Sequence, residues 1–392
     1  MPVTETVTTS WFSRLKGALI RIVVGLILIL VAVYFLFANE GRSIQVYRSL
    51  VEGAGLVITV DSAKPDPAND GKLVHLSGKV MPLGVPADSA FPVAAEGALA
   101  LYRKTVMYQW VEKRDTKTEN KIGGGTETVT TYSYQKDWRS NRVDSSNFRE
   151  SGHDNPDFLV ESARFTVDQA RVGGFVAQGM QLASLGTEQR LPLSAADAVR
   201  FSRSIATGRP VQFNQGGLYI GYSASSPAIG DIKIEYERVD LSEASLVGMQ
   251  QGDRLVAYTA SNGRSIFLAE RGIRDAASMF DAAQSENTVV TWLVRALGLI
   301  GLFIGFASMM SIFGVIGDVI PFVGSIIRMG TGLLALVLTL IIGPLVIAFG
   351  WFAYRPVLAA SITAGGLILA GLIVYVRRKR VASQQQPHFG RP

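Results

Sequence analysis

The chain has 392 residues, a mean hydropathy of +0.25, a formal charge of +6 and no cysteine. Disulfides, iron–sulfur clusters, thiolate zinc sites and cysteine nucleophiles are thereby excluded. The apolar character is concentrated in four runs near the ~20 residues that cross a bilayer, which marks an integral membrane protein.

Residues 1–17 are polar and read as a loose cytoplasmic tail. The first span covers 18–37. It reads as a retained anchor, because Phe35 and Phe37 stand where a signal peptidase needs small residues. Its helix is expected to run on past Asn39-Glu40-Gly41 towards Leu50. Residues 38–290 then form an extracytoplasmic domain. Further spans follow at 292–316, 329–353 and 356–376, separated by an inner loop at 317–328 and by Tyr354-Arg355-Pro356. A basic tail, 377–392, ends the chain. Arg14, Lys16 and Arg21 before the first span, and Arg377, Arg378, Lys379 and Arg380 after the last, put both termini in the cytoplasm. The large domain then faces a bacterial periplasm or an organelle lumen, with Arg355 the one exception to the charge rule. The expected fold is thus four transmembrane α-helices, one N-terminal and three C-terminal, with a mixed α+β, mainly antiparallel, extramembrane domain.

Eleven of the 38 Lys and Arg, but only Glu5 and Asp318 of the 32 Asp and Glu, lie in residues 1–37 and 292–392. The outer domain is therefore close to neutral, and the basic pI is a membrane-flank effect. No nucleic-acid partner is expected. Membrane lipids are, with Arg377, Arg378, Lys379 and Arg380 against anionic headgroups.

Within the outer domain, Leu56–Val60 and Leu73–Val80 read as strands. Residues 98–139 read as a hairpin turning at Lys121–Gly125. Tyr102, Val106, Tyr108 and Trp110 share one parity on its first arm, and Tyr132, Tyr134 and Trp138 share one on its second. A loop of odd length puts them on one face. That face is expected to be the core of a sheet, the alternative being a platform for glycan or single-stranded nucleic acid. Residues 169–184 and 194–205 read as helices, the second capped by Ser194 with Asp197. Strands return at 211–213, 218–222 and 232–236, a hairpin follows at 255–268, and a helix from 274 leads into the second span.

This order of parts resembles the LUMA family of four-span membrane proteins of the endoplasmic reticulum and inner nuclear membrane. The likeness rests on Asn39-Glu40-Gly41-Arg42, Met107-Tyr108-Gln109-Trp110-Val111-Glu112, Tyr132-Ser133-Tyr134, Trp138-Arg139-Ser140, Gly152-His153-x-Asn155-Pro156 and Trp351-Phe352-x-Tyr354-Arg355-Pro356. Gly230-Asp231 and Gly252-Asp253 are weaker matches. The wealth of Ala, Gly and Val suggests a bacterial relative. The resemblance implies membrane organisation, self-association and partner proteins in the membrane, and it brings no catalytic residues. Tyr108, Trp110, Trp138, His153, Asn155, Pro156, Tyr354, Arg355 and Pro356 are expected to serve structure.

Chemistry-bearing patterns are sparse. The histidines are His75, His153 and His388, none at metal-ligand spacing, and neither a Walker loop, a dinucleotide fingerprint nor a nucleophile elbow occurs. His153-Asp154 with Asp157 reads as a polar turn. No cofactor or metal is expected. Near the membrane, Arg295 is expected to snorkel to the interface and Asp318 to pair with Arg328, leaving little for a transporter to use. Gly298, Gly301, Gly305 and Ser308 form a small-residue stripe on the second span, and Ser361 and Gly365 repeat the pattern on the fourth. Such stripes let helices approach closely, within one chain or between copies of a homo-oligomer. The expected function is non-enzymatic scaffolding of membrane complexes. The alternative is a sensor or adaptor that binds glycan, peptide or lipid.

Overall fold

A computed structural model describes residues 3–205, 208–357, 360–362, 364 and 368. The chain divides into two compact units, one of residues 1–13 and 46–287, the other of 14–45 and 288–392.

Strand β1 (Val3–Thr9) leads through Ser10 into α1 (Trp11–Leu56), which begins where the Ser10 hydroxyl accepts the Ser13 N–H. Strands β2 (Ile58–Thr59), β3 (Leu73–Leu83), β4 (Ala100–Asn120) and β5 (Thr126–Arg139) follow. Next come β6 (Ala163–Thr166), β7 (Gln169–Val172), β8 (Phe175–Gln178), α2 (Gly179–Ala183), β9 (Thr187–Leu191) and α3 (Ala195–Ser204). The domain closes with β10 (Val211–Asn214), β11 (Gly217–Ile220), β12 (Ile232–Asp240), β13 (Glu243–Gln251), β14 (Arg254–Val256), β15 (Tyr258–Thr259), β16 (Ser265–Ile266) and β17 (Leu268–Arg271). Two long helices, α4 (Ala276–Gly317) and α5 (Pro321–Tyr354), complete the described elements.

The first unit holds two main sheets. In one, the order is β1-β5-β4-β12-β11-β10, with β6 also on β4 and β9 also on β12. In the other, pairings run in a closed circuit, β3 to β13, β14, β8, β7 and back to β3, with β17 and β2 attached. Its strands contribute Val74, Leu76, Val172, Phe175, Leu246 and Leu255 to one apolar cluster. A second cluster, around Leu101, Met107, Phe201, Ile232 and Ile234, packs α3 onto the first sheet. The Ser194–Asp197 capping box forms as expected, with hydrogen bonds in both directions.

Four readings of the sequence are corrected. The loose N-terminal tail is a strand over Val3–Thr9, in register on β5 from Val3 opposite Tyr132 to Thr9 opposite Thr126. The helix expected over 169–184 is the β7–β8 hairpin plus five helical residues. Gly173 turns it at φ +62, where a Cβ would stand 2.2 Å from the Ser62 carbonyl, so only glycine fits. The inner loop shrinks from 317–328 to three residues, because α5 already starts at Pro321. Finally, the aromatic face is core only in part: Tyr102 and Tyr132 are buried, whereas Tyr108, Trp110 and Trp138 are half-buried, and in the middle of β4 it is Thr105, Met107 and Gln109 on the opposite face that are buried. Met107 faces down because its cross-strand neighbour is Ile232, at the centre of the apolar cluster.

In the second unit, α1, α4 and α5 are long and apolar enough to cross a membrane. The fourth expected span falls largely outside the described residues, so three helices that could span a membrane are described rather than four.

Candidate functional site

The family-like motifs assemble into two polar clusters, one in each unit. In the β unit β4 and β5 pair with Tyr108 opposite Trp138, Trp110 opposite Lys136, Glu112 opposite Tyr134 and Arg114 opposite Tyr132. These side chains share one face. The Tyr108 and Trp138 rings are 5.1 Å apart, Lys136 lies over Trp110 at 4.7 Å and Lys233 over Trp138 at 4.1 Å.

The loop 141–156 folds across this hairpin. Beyond Tyr108, which exchanges bonds with Gly230 and Asp231, β12 no longer reaches β4. Asn155 takes over the edge. Its Oδ1 accepts the Trp110 N–H at 2.7 Å, and its Nδ2 donates to the Trp110 carbonyl at 2.9 Å. One amide thus replaces a strand residue. Gln109 holds the other end of the loop, accepting the Val143 N–H and donating to the Asn141 carbonyl. His153 stacks on Tyr134 at 3.9 Å and meets the Trp110 ring edge-on at 4.5 Å. Glu112 accepts the Arg149 N–H at 2.6 Å, the Tyr134 hydroxyl at 2.8 Å and Arg114 Nε at 2.6 Å. Burial opposes ionisation of Glu112, yet these three donors hold its carboxyl below the ordinary range. Pro156 lies against Gly230, where a Cβ would come within 2.8 Å of its ring.

Elsewhere in this unit, buried Asp88 accepts Arg103 and the Tyr236 hydroxyl, and buried Asp231 accepts Arg209 and the Tyr219 hydroxyl. Burial, then the neighbouring carboxylate, pushes both phenols far up, so both tyrosines stay protonated donors. Each group in these two networks has its partner within the fold.

In the helical unit, Asn39 donates to the Thr291 carbonyl at 3.1 Å and accepts from Arg42, which also reaches the Thr291 hydroxyl at 3.1 Å. Buried Glu40 receives Arg295 through two bonds of 2.8 Å each. Arg295 pairs with this carboxylate and lies over Trp292 at 4.7 Å. Gly41 admits the Tyr354 ring, and Gly350 admits Glu40. The motifs Asn39-Glu40-Gly41-Arg42 and Trp351-Phe352-x-Tyr354-Arg355-Pro356 are two halves of one contact. Buried Asp318 accepts both Arg14 and Arg328.

The glycine stripe packs within the chain. A Cβ on Gly298 would meet Leu36 at 2.5 Å, one on Gly305 would meet Ile29 at 2.6 Å and the Gly25 carbonyl at 2.9 Å, and Gly301 faces Ala32. Ser308 continues along α4, whereas Gly365 and Arg377–Arg380 lie outside the described residues. An apolar groove of ≈ 370 Å³ opens beside the stripe, between Leu28, Val31 and Phe35 of α1 and Val294 and Leu297 of α4. Among the described residues no acidic, histidine or cysteine cluster can hold a metal.

One feature escaped the reading of the sequence. Thr4-Glu5-Thr6-Val7-Thr8-Thr9 recurs, residue for residue, as Thr126-Glu127-Thr128-Val129-Thr130-Thr131. The two copies lie in the strands that pair as β1 and β5.

Comparison with known proteins identifies the family. No solved structure is significantly similar. Transmembrane protein 43 of mouse is 29% identical over 398 residues, covering 98% of this chain and 96% of its own. The human protein is 29% identical over 380 residues, covering 92% and 90%. A Drosophila melanogaster homologue is 26% identical over 391 residues, covering 95% and 96%. The family model described as transmembrane protein 43 matches residues 107–356, which hold the hairpin motif, the loop clamp, Arg295 and Tyr354. The chain belongs to the transmembrane protein 43 family.

Proposed function

We propose that this membrane protein is a non-enzymatic scaffold, whose outer domain and spans hold other membrane proteins and further copies of itself. The observation that supports this is the fate of the family-like motifs. Their polar side chains are spent on one another, in a loop clamp on the hairpin and a helix clamp at Glu40–Arg295, so they stabilise a shape. In the proposed arrangement both termini are cytoplasmic and the β-rich domain is periplasmic or lumenal, in keeping with the positive flanks. Arg377–Arg380 contact anionic headgroups.

The test is gentle extraction of the full chain from its native membrane, followed by identification of what stays bound. Stoichiometric membrane-protein partners are expected. A chain that leaves the membrane alone and monomeric overturns the reading. A second reading, an adaptor that binds a ligand on the aromatic face, is favoured by the half-exposed Trp110–Lys136 and Trp138–Lys233 pairs. Lys233→Ala with unchanged stability but lost capture of an oligosaccharide or anionic peptide supports that reading over the first.

A further inference from the structure

The outward edge of β5 accepts its own sequence. The hexapeptide at 4–9 lies antiparallel on its copy at 126–131, each Glu opposite a Thr: Glu5 faces Thr130, and Thr8 faces Glu127. Trp11 adds its ring over the Gly124 backbone at the hairpin tip. Yet β1 leads directly into α1, and a helix that crosses the bilayer puts its two ends in different compartments. For β1 to stay on β5 in that state, the hairpin would have to pass through hydrocarbon. Lys113, Arg114, Asp115, Lys117, Glu119 and Lys121 forbid that. Pairing of β1 with β5 and a transmembrane α1 are therefore mutually exclusive.

Once α1 crosses, the edge from Thr126 to Tyr132 loses its cover. It is seven residues long, contains no proline or lysine and pairs with β4 without a bulge. Such an edge recruits a strand. We infer that in the inserted protein it is covered by the same edge of a second copy, in a two-fold antiparallel ladder centred on Val129. The inference rests on the transmembrane arrangement proposed above.

Hydrogen-bond direction fixes the register. Lys121 donates to the Gly125 carbonyl, so residues 125, 127, 129 and 131 turn their N–H and C=O towards β4. Residues 126, 128, 130 and 132 turn outward, as alternation requires. Two such edges bond only through these even-numbered residues, Thr128 with Thr130 of the second copy and Thr126 with Tyr132 of the second copy. Val129 then faces Val129 of the second copy at a non-bonded position, and Glu127 faces Thr131 of the second copy. Again no Glu opposes a Glu. This ladder is shifted by one residue from the β1 register, which this edge tolerates because residues 126–131 are half-exposed and no core holds one register.

The cysteine-free chain makes the test direct. Full-length Val129→Cys is oxidised in native membranes, where its non-bonded position brings the two α-carbons to about 4.5 Å, within disulfide reach. A covalent dimer is expected from V129C, none from E127C alone, and a mixed dimer from E127C with T131C. Adding Thr130→Pro, which removes an outward N–H and leaves the β4 ladder intact, should reduce the V129C dimer at least tenfold. A monomeric V129C beside a T6C/V129C chain that closes an internal disulfide overturns the inference, because β1 then still holds the edge. Dimers between T6C and V129C chains without V129C homodimers overturn it in favour of exchanged β1 strands. An impermeant maleimide on sealed vesicles separates the two readings. Labelling of T6C and V129C from opposite faces upholds the arrangement whatever the cross-link shows, and labelling from one face overturns both.

Discussion

At Asn155 one side chain does the work of a strand residue. Replacing it by Ala strands a part-buried N–H and C=O of Trp110, so Asn155→Ala is expected to cost about 1–3 kcal/mol in unfolding of the full chain. Glu112 adds a pH dependence whose sign follows from its depressed carboxyl. Stability from a depressed carboxylate is complete above the unfolded value of ~4.3 and is lost as pH falls through the lower folded value. Trp110 fluorescence should therefore report release of the 141–156 loop below pH ~4, and Glu112→Gln should flatten that response. Glu40 and Arg295 form a salt bridge whose carboxylate is buried. Glu40→Ala leaves a part-buried guanidinium without this partner and is expected to cost up to about 3 kcal/mol, most of it recovered in the double variant with Arg295→Met. A double-mutant cycle on detergent unfolding checks this; additive losses contradict it.

Among elements, the α1–α4 contact is where glycine decides the packing. Gly25 and Gly305 each lie against the other helix's backbone carbonyl, at 2.6 and 2.9 Å from a would-be Cβ, so no side-chain rotation makes room. Gly305→Leu should lower the thermal midpoint of the purified protein, at a cost of ~1–3 kcal/mol or more. Gly332, with open space around it, is the matched control and should tolerate Leu. Equal behaviour of the two variants contradicts the packing. The stripe was legible because spacing alone puts those residues on one face. Whether that face meets another chain or α1 depends on helix placement, and within this chain Leu36, Ala32 and Ile29 take it.

For the whole molecule, charge asymmetry gives the expected sidedness. A reporter fused at Gly124 should be active only outside the cytoplasm, and one fused after Arg380 only inside; the opposite pattern contradicts the proposed topology. The sequence by itself determined the apolar runs, the hairpin with its turn at 121–125, the single aromatic face and the Ser194 cap. All of these follow from periodicity or contacts a few residues apart. Only tertiary structure decided the rest. The face of β4 that became core was set by Ile232, more than a hundred residues away, and the aromatic face was partly covered by a loop anchored at Asn155. Residues 169–178 became strands because they pair with β3 and β14 in the closed circuit, and the Gly173-Gly174 turn allowed it. Arg295 found Glu40 from 255 positions away. Local pattern gave the face that an element offers wherever its period was clear; the partner for that face, and at 3–9 and 169–178 even the type of element, depends on chain segments distant in sequence, which no local propensity encodes.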